Sequence, residues 1–205
     1  MYRFKIIFIV VLSLFAFHNT FAMDLSIIPR GGLSQPVGSI ADTWQAGYNI
    51  ELNVFRPIVN DFTWGARLGF HRWKPNAEEL LKTNSREFEV EQSIGWHVIV
   101  EASGLVSYRL LLFPNKLGSL CVEGGAGVFY IRQPDILIKG FHAVGYTALN
   151  REVTLEHNIE VVPGFSAGLS LEIISRIEAL VRYNYIFTAD EGTSMLTVGL
   201  GLLMQ

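Results

Sequence analysis

Polar and apolar residues alternate with a period of two through most of this chain. From Glu178 to Phe187, one face carries Ala179, Val181, Tyr183, Tyr185 and Phe187. The other carries Glu178, Leu180, Arg182, Asn184 and Ile186. Such a period belongs to a β-strand with two unlike faces. It predicts eight strands, near Ser26 to Leu33, Trp44 to Phe55, Phe62 to Trp73, Ile94 to Phe113, Ser119 to Arg132, Glu160 to Ile173, Glu178 to Phe187 and Ser194 to Met204. Their polar faces are rich in glycine and serine and repeatedly carry charge. A soluble barrel turns its apolar face inward, whereas a transmembrane barrel turns it to lipid and keeps polar groups inside.

The connections alternate in length. Arg56 to Asp61, Pro114 to Gly118 and Ile174 to Arg176 are short, whereas Ser34 to Asp42, Lys74 to Ser93 and Gln133 to His157 are long. This is the asymmetry of periplasmic turns and extracellular loops. In the Lys74 to Ser93 loop, Asn76 is placed to cap a helical turn. In the Gln133 to His157 loop, Ile136 to Ile138 and Val153 to Leu155 are placed to form a hairpin. Trp44, Trp73, Trp96, Tyr130, Tyr185 and Phe187 fall toward the long-loop end. Phe55, Phe62, Trp64, Tyr108 and Phe113 fall toward the short-turn end, so two aromatic girdles are expected.

The N-terminus sets the compartment. Arg3 and Lys5 precede the apolar run Ile6 to Phe17, followed by Thr20-Phe21-Ala22, the layout of a cleavable secretory signal. The expected division is therefore a signal over residues 1–22 and a barrel domain over 23–205. Losing Arg3 and Lys5 lowers Lys plus Arg from 16 to 14 against 19 acidic residues, a net charge of −5. That balance argues against a nucleic-acid binder. A single cysteine, Cys121, excludes an intrachain disulfide, so stability must come from elsewhere, and a closed hydrogen-bonded barrel supplies it.

Together these features resemble the small outer-membrane β-barrel superfamily, which includes OmpX-like and opacity-type proteins and the OmpA membrane domain. The last strand contributes to the resemblance: Thr197, Gly199, Leu202 and Met204 match the terminal pattern read by the outer-membrane assembly machinery, although the chain ends Met204-Gln205 rather than on an aromatic residue. The resemblance implies an all-β, antiparallel up-and-down barrel of about eight strands in the outer membrane. Its partners would be outer-membrane lipids, lipopolysaccharide and the assembly machinery.

Eight charged residues fall on polar faces: Glu51, Arg67, Glu101, Arg109, Glu123, Glu172, Glu178 and Arg182. An eight-stranded barrel has an interior just wide enough for side chains to fill. These charges are therefore expected to pair as a structural network, with a narrow pore for ions or small solutes as the alternative. His71, His97, Glu101 and Ser103 supply acyl-transfer ingredients on neighbouring strands, the basis for considering a lipid A acyl hydrolase or acyltransferase. No catalytic motif accompanies them, and no enzyme is expected. A secreted lipocalin-like binding barrel is the structural competitor. It would put Tyr183, Val198, Leu200 and Leu202 inside. The scattered histidines and the glycine pairs Gly31-Gly32 and Gly124-Gly125 suggest no metal or phosphate site, so no cofactor is expected. The expected role is envelope structure or cell-surface interaction, with a surface ligand reached through loops 74–93 and 133–157.

Overall fold

The alternation builds strands long enough to cross a bilayer, and the strands close on themselves. The computed structural model describes residues 25–82, 87–114, 118–144, 147–173, 176–189 and 192–204. The expected signal, residues 1–22, lies outside them, as do Arg86, Gln205 and parts of the Pro114 to Gly118 and Ile174 to Arg176 turns.

The described residues form eleven strands: β1 (Ser26–Val37), β2 (Trp44–Val59), β3 (Phe62–Pro75), β4 (Glu89–Ile94), β5 (His97–Leu112), β6 (Gly118–Gln133), β7 (Ile136–Val144), β8 (Thr147–Leu155), β9 (Asn158–Ile173), β10 (Ile177–Ile186) and β11 (Thr193–Leu202). Eight of them close into an antiparallel barrel in the order β1-β11-β10-β9-β6-β5-β3-β2. These eight run from 10 to 16 residues, and a tilted strand needs about 9–11 to cross the hydrocarbon core. Closure leaves no barrel edge unpaired, the condition for a sheet to span lipid. The seam is β1 on β11, from Arg30 opposite Gly201 to Val37 opposite Ser194.

The faces are inside out relative to a soluble barrel. Ile50, Leu68, Val106, Leu169, Val181, Tyr183, Val198, Leu200 and Leu202 lie on the exposed outer surface. Glu51, Arg67, Glu101 and Arg182 are at most 2% exposed inside. The lipocalin-like alternative required the reverse and is overturned. This pattern places the barrel in a bilayer, and a closed antiparallel barrel with short turns at one end and long loops at the other is the outer-membrane form.

The long connections are built. A short helix, α1 (Ala77–Leu81), follows β3, and β4, β7 and β8 form a separate three-stranded sheet beyond the barrel. The expected hairpin is present, with Ile136 opposite Leu155 and Ile138 opposite Val153. Strand β4 was not foreseen. Asn76 stands at the N-cap of α1 but its side chain makes no capping bond. Its amide instead donates to the Ala41 carbonyl and accepts from the Gln45 amide, tying the helix to the neighbouring connection.

Two tryptophans expected in the outer girdle are buried inside, Trp44 at 3% and Trp73 at 0% exposure. For Trp44 the reason is a register shift between Gln45 and Tyr48 against β3, which reverses the facing of residues before it. Trp73 shares parity with Arg67 and His71, and its indole Nε1 donates to Ser34 Oγ at 3.0 Å. Phe55 is likewise turned inward. Trp96, Tyr130 and Tyr185 are half-buried near the long-loop end and Phe187 is exposed there, while Trp64 and Tyr108 are exposed toward the short turns. Rings cluster at both levels: Tyr185 lies 5.1 Å from Phe187, and Phe62 lies 4.6 Å from Tyr108.

Candidate functional site

The lumen is filled in three layers. At the short-turn end Ile28, Phe55 and Leu105 pack together with Leu203. At the long-loop end lies a larger apolar plug of Trp44, Trp73, Ile99, Phe129, Ile131, Ile186 and Met195, into which Ala77 and Leu81 of α1 and Ile136 and Ile138 of β7 are inserted. Between the two plugs lies an ionic layer.

Three arginines organise that layer. Arg30 donates Nε and Nη2 to Glu178 at 2.8 Å, and Nη1 and Nη2 to Glu123 at 3.1 and 2.6 Å. Arg182 forks onto both oxygens of Glu51 and donates Nε to Asn184. Arg67 donates to Glu101 at 2.9 Å, to Asn53 at 3.1 Å and to Ser166 at 3.3 Å. Arg67 also stands 3.8 Å from Glu51 and 3.7 Å from Glu123, so it joins the Arg30 and Arg182 clusters into one network. Two-pronged guanidinium–carboxylate contacts fix geometry as well as charge. Glycines make room for these long side chains. A Cβ at Gly201 would fall 2.8 Å from Arg30 Cγ, and one at Gly69 would fall 3.3 Å from Glu101 Oε2.

Six of the eight charges read from the sequence meet in this layer: Glu51, Arg67, Glu101, Glu123, Glu178 and Arg182. The other two do not, because they lie nearer the short turns. Arg109 is half-exposed and pairs with Asp61 at 3.4 Å. Glu172 is half-buried and accepts a hydrogen bond from Ser119 Oγ at 2.8 Å. Arg30 was missed. It sits between Pro29 and the pair Gly31-Gly32, which blur the alternation, but counting back by twos from Ser34 through Gly32 puts it on the inner face. Cys121 is half-buried, 3.7 Å from Ser119 Oγ.

The acyl-transfer ingredients are rearranged. His71 Nδ1 lies 3.2 Å from Ser34 Oγ, and its Nε2 lies 3.7 Å from Glu101 Oε2. Ser103 donates to Glu101 at 2.5 Å. This Ser–His–Glu chain is shut in. Ser34 and His71 are at 0% exposure, and Ser34 Oγ already accepts from Trp73 and contacts Met195 Sδ. No substrate carbonyl can reach it without displacing the plug. His97 is held away from this chain between Trp73, stacked at 5.3 Å, and Trp44 at 4.6 Å. Among the described residues, no group of three or more His, Cys, Asp or Glu side chains is placed to hold a metal ion.

The terminal pattern splits by parity. Thr197 is buried inside and Gly199 shares its face, whereas Leu202 and Met204 are exposed outside. Met204 bridges back to Ile27 by two backbone bonds of 2.9 and 3.0 Å.

Above the lumen, α1 and the three-stranded sheet form a platform. Arg151 of β8 donates Nη1 to the Leu81 and Lys82 carbonyls, both at 2.6 Å, closing the C-terminal end of α1. The platform's outer surface exposes Glu78, Glu79, Glu89, Glu91, Val90 and Phe141.

A closed eight-stranded barrel with an apolar belt, a charged core and a platform on its long loops defines a small outer-membrane β-barrel protein. No protein-family model matches the sequence, and no curated protein matches it either. Solved structures that resemble it include Ail, the attachment invasion locus protein of Yersinia pestis, in complex with the heparin analogue sucrose octasulfate (15% identity, 89% of this chain and 100% of that chain, TM-score 0.49). Others are Neisserial surface protein A (13%, 88% and 96%, 0.44) and the N-terminal β-barrel domain of Pseudomonas aeruginosa OprF (10%, 88% and 96%, 0.43). The membrane reading rests on this chain's own belt and lumen.

Proposed function

We propose that the protein acts in envelope structure or cell-surface interaction, with the barrel as a rigid mount and the platform of loops 74–93 and 133–157 as the working surface. One observation carries this reading: Leu81, Ile136 and Ile138 lock the platform into the mouth of a filled barrel. A loop surface held in this way is displayed in one conformation, which favours binding. The partners on this reading are the outer-membrane lipids and lipopolysaccharide around the belt, the assembly machinery during insertion, and a surface ligand on the platform. The six paired lumen charges act as a structural network, and the outward rings at the two levels act as interface girdles.

Three measurements test the reading. Planar-bilayer recording of the folded barrel is expected to show no stable single-channel conductance; a sizeable stable conductance would replace the mount with a pore. Cells carrying Val90→Ser/Phe141→Ser, which alters only exposed platform side chains, are expected to keep the barrel but lose adhesion to immobilised host-matrix or envelope components that wild-type cells bind. Unchanged adhesion would remove the platform from the proposal. Identical lipid A profiles from cells with and without the protein are expected, since the Ser34–His71–Glu101 chain is closed to substrate.

A further inference from the structure

The outer surface carries an asymmetry that the apolar belt does not require. Near the long-loop end, Arg72 and Lys74 face outward on β3 and Arg132 faces outward on β6, flanking β5. Val98 of β5 is paired with Arg72 on one side and Arg132 on the other, so the two arginines stand at one level. Two strand spacings separate them, about 10 Å. One level down, the outward residues are Phe70, Val100 and Tyr130, all apolar or aromatic. The lipid-facing positions of β9, β10, β11 and β1 carry no Lys or Arg. The cations thus mark one sector at the boundary between apolar belt and platform.

Their partners set them apart from the lumen cations. Arg30, Arg67 and Arg182 are each ion-paired with carboxylates. Arg72, Lys74 and Arg132 have no carboxylate within 4.0 Å among the described residues. The Arg72 guanidinium lies 3.7 Å over the Trp96 ring and donates Nη1 to Tyr48 OH at 3.2 Å, and Lys74 Nζ stands 5.3 Å from the same ring. Stacking holds the guanidinium in place while leaving most of its five N–H donors free. An oriented guanidinium with spare donors suits a phosphate, and neighbouring cations add to the attraction.

We propose that the Arg72–Lys74–Arg132 sector binds the phosphorylated headgroup of an outer-leaflet lipid. This inference rests on the outer-membrane reading above. The site adjoins the apolar belt without a break, so its ligand must be apolar below and anionic above. A lipid meets both demands, whereas free phosphate or a soluble polyanion meets only one. Arg72 and Arg132 flank Val98 with cationic groups, and Lys74 extends the patch toward the platform. Trp96 and Tyr48 fix Arg72 in position.

The test titrates the folded barrel in zwitterionic micelles with diphosphoryl lipid A, dephosphorylated lipid A and inorganic phosphate, read by native mass spectrometry. The wild type is expected to prefer the diphosphoryl form. Arg72→Gln/Lys74→Gln/Arg132→Gln is expected to weaken that binding by roughly 10- to 100-fold, the scale of a few cations beside a lipid surface. Arg176→Gln, at the exposed short-turn end, is expected to leave it unchanged. Equal binding of the two lipids, an unaffected triple variant, or inorganic phosphate bound as tightly as the lipid would overturn the proposal. If the triple variant does not fold, the wild-type comparison of the two lipids decides alone. Failure of the wild type to insert into bilayers would instead sink the membrane reading itself.

Discussion

The ionic layer and the upper apolar plug are buried to the same degree inside one barrel, yet they hold different things together. The ionic layer draws its charged residues from β1, β2, β3, β5, β6 and β10, so it ties wall to wall. The plug draws on the wall and on α1 and β7, so it ties the platform to the wall. Directional pairs suit the first task because they fix which strands face each other across the lumen. Non-directional packing suits the second because it accepts side chains arriving from a connection. Loosening the first should therefore open the barrel, and loosening the second should free the platform alone.

The largest expected effect is on the ionic layer. Arg67→Met strips Glu101 of its closest cation and cuts the link to Glu123, and should cost about 3–5 kcal/mol, the penalty of breaking a buried pair from one side. Urea unfolding in lipid vesicles, followed by tryptophan fluorescence, measures it. The matched double variant Arg67→Met/Glu101→Leu should recover most of that stability, because the pair is removed together while Glu51 keeps Arg182 and Glu123 keeps Arg30. A double variant as damaged as the single would mean that packing, not charge pairing, dominates the layer.

Next comes the plug. Leu81→Ala should cost about 2–5 kcal/mol of local stability. Hydrogen exchange should show lost protection in β4, β7 and β8 with the barrel strands unchanged. Equal loss in the barrel would erase the distinction between the layers. Gly201→Ala probes the room beneath Arg30 and should cost about 1–3 kcal/mol in the same urea assay, since its methyl group would meet Arg30 and Ile28. The smallest change belongs to the platform surface. Lys139→Ala breaks an exposed pair with Glu152 and should alter stability by less than about 1 kcal/mol.

The two regions also differ in how well they could be read from residues alone. The ionic layer follows from parity, because a charge on a regular strand declares its face: Glu101 and Arg182 needed only the count of two. The barrel strands followed for the same reason; β3, for example, begins at Phe62 as expected and runs two residues past Trp73. The plug depends on features that parity does not carry. The register shift that turned Trp44 inward leaves no mark in the alternation. Strand β4 is a six-residue acidic stretch whose partner, β7, lies more than forty residues onward. Ala77 with Leu81, and Ile136 with Ile138, are spaced to bury one helix face and one strand face, but the sequence does not say against what. Arg30 lay between the cases, on a regular strand whose proline and glycines hid the rhythm.

Arg30 also has a meaning in time. It belongs to the first strand and reaches over Gly201, in the last strand, to Glu178, a partner 148 residues away along the chain. Neither that contact nor its bonds to Glu123 can form while the sheet is still open. During assembly its guanidinium stays hydrated until the two ends of the sheet meet, and desolvation and pairing then occur in one event. A seam joined one residue out of step would turn Arg30 toward lipid and leave Glu178 without its cation, so a misregistered closure should reopen rather than persist. Arg30 thus acts as a latch that engages last and only in the correct register.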